Sequence, residues 1–96
     1  MLLRDKIILV FYIGVEDMPK RYVSERLCDA RYHFDYLRDE STEVIFLPDF
    51  DTQSCRVEAI NPKLLCEEDY CKVEEMVDNF HNKLKEWEND KRTADK

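Results

Sequence analysis

A single glycine, Gly14, stands among the 96 residues. A chain with one glycine builds neither a P-loop nor a dinucleotide-binding turn, because both need several glycines to bring backbone against phosphate. Enzymes that cradle phosphates are therefore excluded.

The four cysteines, Cys28, Cys55, Cys66 and Cys71, contain no CxxC pair. Zinc sites are built from Cys or His pairs two to four residues apart, so the spacing argues against metal. Cys66 and Cys71 would point about 140° apart around a helix and could not share an ion. Cys66 is expected to cap the last helix, and Cys28 and Cys71 to behave as small semi-buried hydrophobes. "DFDTQ" (residues 49–53) places Asp49, Asp51 and Gln53 like the start of a calcium loop. It lacks the glycine and the closing glutamate of such loops and reads as a solvated turn. Only two histidines occur, His33 and His81, and Ser24, Ser41 and Ser54 have no elbow glycines around them. The carboxylates Glu67, Glu68, Glu74, Glu75 and Asp78 belong to the wet side of a helix. The expectation is a protein that is not an enzyme and holds no cofactor or metal.

Long apolar runs are missing as well. The longest, Ile7 to Val15, is too short to span a bilayer. The opening "MLLRDKIILVFYIG" sets charges inside its apolar stretch, unlike a signal peptide. A soluble cytoplasmic protein with reduced thiols is expected. Fifteen basic against 22 acidic residues give a net charge of −7, which disfavours non-specific nucleic-acid binding. Residues 1–38 carry a net +1 and residues 39–96 a net −8. The acidic part disfavours an anionic membrane and the asymmetry permits contacts with a protein partner.

What is present is a 44% hydrophobic complement arranged in readable patterns, enough for one core. "KIILVFYI" (6–13) is uninterrupted, the mark of a strand covered on both faces. From Pro19 to about Arg38, Val23, Leu27, Ala30, Phe34 and Leu37 draw an apolar stripe along a helix, with Asp17 or Met18 at its cap position. "EVIFLP" (43–48) reads as a second strand, and "CRVEAI" (55–60) as a half-exposed third, hairpinned antiparallel to the second. "NPKLL" is a connection, and a last helix runs from about Glu67 to Asn89 on Tyr70, Val73, Val77, Phe80, Leu84 and Trp87. Residues 88–96 have no apolar anchor and are expected to fray, leaving one domain over 1–87.

This order predicts an α+β fold, a two-layer β-α-β-β-α sandwich with a three-stranded mixed sheet and two helices on one face. A right-handed crossover makes the first two strands parallel. The third strand at an edge or in the middle is left open by the sequence. With both helices on one face, Ile8, Val10, Tyr12, Ile45 and Leu47 would lie uncovered on the other. Burying such side chains is worth about 1.5 to 3 kcal/mol each, so a second subunit is expected to close that face as a homodimer or larger homo-oligomer. One helix on each face is the alternative and removes the need for it.

The first helix also carries "KRYVSERLCDARYHFDYLR", in which Arg21, Tyr22, Arg26, His33 and Tyr36 combine residue types that pair with anions and stack on rings. These could hold a nucleotide-like anion or dock a protein, since Tyr and Arg also concentrate at interfaces. The stretch "RVEAINPKL", after a strand ending "FLP" and before an acidic helix start, resembles small proteins of tailed bacteriophages over roughly residues 6–75. That resemblance implies a small viral accessory protein in the host cytoplasm and no catalytic residues to carry over. The expectation is a non-enzymatic interaction protein that self-associates, serving assembly or inhibition of a host factor. Its rival is a binder of small anions through the first helix.

Overall fold

The computed structural model describes the backbone of residues 3–94 and the side chains of residues 3–86. The expected α+β class is observed, with a three-stranded mixed sheet and two helices. Two compact units divide the chain, Met1–Leu65 and Cys66–Lys96.

In the first unit, β1 (Ile7–Gly14) lies between β2 (Thr42–Asp49) and β3 (Arg56–Ile60). It pairs parallel with β2, with Val10 beside Ile45, and antiparallel with β3, with Phe11 beside Val57. The expected hairpin between the second and third strands is not formed, because β3 pairs with β1 and not with β2. After Asp49, which is paired with Gly14, the chain crosses the end of β1 and returns along its other side. Val15 and Glu16 donate their amide hydrogens to the carbonyls of Asp49 and Thr52, tying down the crossing loop.

That crossing explains the only glycine. A Cβ on Gly14 would lie 2.5 Å from the Ser54 carbonyl oxygen and 2.7 Å from that of Gln53, closer than any carbon tolerates. The glycine serves close approach of two backbones rather than an unusual turn angle.

Helix α1 (Lys20–Phe34) starts at Pro19, whose ring sets φ at −57° and whose carbonyl accepts from the amides of Tyr22 and Val23. Val23 and Leu27 are its buried residues. The helix was expected to reach Arg38, but it tightens to a 3-10 turn over Asp35–Leu37 and ends there. Arg38 takes an extended backbone, from which its guanidinium donates to the Val44 carbonyl at 3.1 Å and pairs with Glu43 at 2.9 Å. Glu43, 7% exposed, also accepts from the Val44 amide. A buried carboxylate needs such partners, and they draw the chain out of the helix.

The core of this unit contains Ile8, Val10, Ile13, Val15, Val23, Leu27, Val44, Ile45 and Phe46. Ile8, Val10 and Ile45, expected on an uncovered face, have no exposed surface at all in the single chain. An unbroken apolar strand does not announce which of its faces lies open. Ile8 lies between Glu43 and Ile60 in the sheet, and Val10 between Ile45 and Glu58. Only Tyr12 and Leu47 of the expected set keep partial exposure.

A 3-10 turn, Pro62–Leu64, follows β3; the Asn61 side chain accepts from the Lys63 amide there. The second unit is α2 (Glu67–Ala94), whose first backbone bond runs from the Tyr70 amide to the Cys66 carbonyl, as the cap assignment requires. Tyr70, Val77, Phe80 and Leu84 are buried, and Val73 is half-buried, following the expected stripe. Trp87, its last expected position, lies outside the described side chains. The backbone of α2 is helical to Ala94, over a segment free of glycine and proline.

Candidate functional site

A groove of about 1120 Å³ opens in the first unit between α1 and β3. Its origin is geometric. A helix with its side chains is about 10 Å across, roughly the width of two strands set ~4.8 Å apart, and α1 is the connection between β1 and β2. The sheet beside it, over β3, is left without a lid. Phe11 makes the floor, stacked on Phe34 of α1 at 5.0 Å and on Phe46 of β2 at 5.2 Å between ring centroids. Val57, beside Phe11 in the register, is 53% exposed. Phe34 and Tyr22 on the α1 side are exposed as well.

Arg26 fixes the closed end. Its Nε donates to the Gly14 carbonyl at 3.0 Å and an amino group reaches Cys55 Sγ at 3.8 Å, so one side chain links α1 to the end of β1 and the approach to β3. Of the five residues expected to bind an anion, the groove gathers Tyr22, Arg26 and His33 and leaves out Arg21 and Tyr36. Arg21 turns back on its neighbour, donating to the Tyr22 hydroxyl at 2.8 Å with its guanidinium over that ring. Tyr36, 78% exposed, stands on the 3-10 turn after the helix. Four carboxylates, Glu16, Asp17, Glu25 and Asp29, line the groove against the guanidinium of Arg26, while Arg56 borders it from β3 with its own guanidinium over Tyr12 on the other sheet face. With Arg26 committed to a carbonyl, this charge balance repels a nucleotide-like anion. The groove is chemically an apolar floor within a mixed, slightly acidic rim.

β3 forms the other wall, and Arg56, Val57, Glu58 and Ala59 are all exposed. Arg56 lies over the Tyr12 ring at 4.4 Å and approaches Glu58 at 3.7 Å on the opposite sheet face from Val57. Among the described residues β3 is paired along one edge only. No family model, curated protein or solved structure matches the chain.

The remaining candidates do not converge. Among the described residues no three His, Cys, Asp or Glu side chains are grouped to hold a metal ion. Cys28 is half-buried, as expected, whereas Cys71 is exposed rather than semi-buried, being on the polar side of α2. In the "DFDTQ" turn the Asp49 carboxylate accepts from the Asp51 amide and the Thr52 hydroxyl from the Ser54 amide, local bonds typical of a turn. Among the described residues no helix is long and apolar enough to cross a membrane.

The groove is not visible in the apolar pattern, because Phe34 continues the core stripe yet is exposed, and the third strand pairs with the first rather than the second. The available signal was the alternation in "CRVEAI", which sets Val57 and Ala59 on one side of a short strand.

Proposed function

We propose that this protein is a small non-enzymatic interaction protein that self-associates through the uncovered surface between α1 and β3. The carrying observation is that open apolar surface and an unpaired strand edge adjoin each other. Val57, Phe34 and Tyr22 are exposed around a half-buried Phe11, and β3 beside them has a free edge. Exposed apolar patches mark association sites, and unpaired strand edges template further pairing. The self-association expected from sequence is thus retained with its surface moved: Ile8, Val10 and Ile45 are enclosed, and Val57, Phe34 and Tyr22 take their place.

Hydrogen exchange at high and low protein concentration tests this reading. Amides of residues 55–60 and of α1 should be protected when concentrated and lose protection on dilution. Concentration-dependent protection confined to α2, or none anywhere, would contradict it.

A further inference from the structure

We infer that the partner is a second copy of this chain, added antiparallel along β3 about a two-fold axis at Val57. The inference rests on the proposed self-association and specifies its geometry.

The free edge runs over Arg56–Ile60, and a two-fold antiparallel pairing must be centred on one of these residues. Centring on Arg56 or on Glu58 sets that charge directly against its own copy, which is repulsive. Centring on Ala59 or Ile60 leaves the Glu58 carboxylate opposite Ile60 or Pro62, and the latter has no amide hydrogen for a ladder. Centring on Val57 places Arg56 of each copy opposite Glu58 of the other, twice over. It also places Val57 against Val57 and Cys55 against Ala59. Arg56 and Glu58 are well exposed, at 60% and 50%, and already approach each other within the chain, so the two-fold closes a ring of four alternating charges.

The other face gains at the same time. A two-fold axis normal to the sheet keeps equivalent faces together, so Val57 and Phe11 of both copies share the side that bears α1. The two grooves become one apolar trough with an α1 on each bank. The interface is closed, because each copy uses its only described free stretch of β3 on the other.

Two independent variants test this register. In a chain whose native cysteines are serine, Val57→Cys should crosslink to dimer on mild oxidation, since opposed residues stand about 4.5 to 5.5 Å apart at Cβ. Ala59→Cys in the same chain should not, because its equivalent would be about 14 Å along the strand. The second test needs no cysteine. Arg56→Glu alone and Glu58→Arg alone should each weaken self-association about tenfold or more, and an equal mixture of the two should restore a dimer containing one of each. If the wild type dimerises but Ala59→Cys crosslinks as readily as Val57→Cys, or the charge variants dimerise alone as well as mixed, the register is wrong and the proposed surface stands. A wild type that never self-associates overturns both.

Discussion

β2 and β3 flank the same central strand and end with opposite fates. β2 is enclosed from Glu43 to Phe46, and the Arg38–Glu43 pair anchors its start to the end of the α1 segment. β3 is exposed over Arg56–Ala59, with the groove on one face and the Arg56–Glu58 pair on the other. On the face of Phe11, Val44 and Phe46 the difference follows from connectivity. The segment that joins β1 to β2 contains a helix wide enough to roof that pair, whereas six residues join β2 to β3 and supply no cover. On that face the crossover helix covers β1 and β2 and leaves β3 as the place to meet something else.

The contrast is broken most severely at its centre. Val10→Asp buries a carboxylate among apolar neighbours and is expected to cost about 5 kcal/mol or more, enough to abolish folding, read as loss of the cooperative transition in circular dichroism. The same substitution at Val57, compared at a dilution where the wild type is monomeric, should leave the thermal transition within about 0.5 kcal/mol, because the side chain is then 53% exposed, while lowering self-association at higher concentration. Equal effects at the two valines would refute the assignment of covered and open surface.

Next in size is the covered strand, β2. Arg38→Ala leaves the Glu43 carboxylate buried with a lost partner, and urea unfolding should show a loss of about 2 to 4 kcal/mol. Converting Glu43 to Gln as well should recover part of that loss, since a neutral amide needs less compensation. Gly14→Ala comes third. Its methyl must push aside the backbone of Gln53 and Ser54, for an expected loss of about 1 to 3 kcal/mol and altered amide shifts in the loop between β2 and β3. A wild-type midpoint for this variant would mean that the loop does not cross as closely as described.

The fold was largely legible from periodicity. The unbroken "KIILVFYI" declared a central strand, and the stripes through Val23 and Leu27 and through Tyr70, Val77 and Phe80 declared the two helices. Strand order was not legible, since six residues can lead into a hairpin or across the end of a neighbouring strand with the same polar composition. Gly14 was the one available hint: a lone glycine at the end of an apolar strand signals close backbone approach. The helix end was misjudged for a related reason. Leu37 continues the α1 stripe, but the attraction between Arg38 and Glu43, five residues on, acts across the turn into β2 and has no periodic signature.

The candidate site was legible only in its parts. Tyr22, Arg26 and His33 are residue types that pair with anions or stack on rings, and all three line the groove. Their partners in forming it, Phe11 and Val57, meet through a strand pairing that the sequence did not reveal. The acidic lining was also invisible, because Glu16 and Asp17 precede the helix in sequence and reach Glu25 and Asp29 only through the fold. What looked like a stripe for anions is a rim around an apolar floor.

The central claim, that the open side of the sheet is where a second copy pairs, is tested most directly by molar mass in solution. Light scattering on the wild type and on Val57→Asp, over the same concentration series, is predicted to give a dimer for the first and a folded monomer for the second. A wild type that stays monomeric at its highest soluble concentration, or a Val57→Asp variant that dimerises equally well, would contradict it.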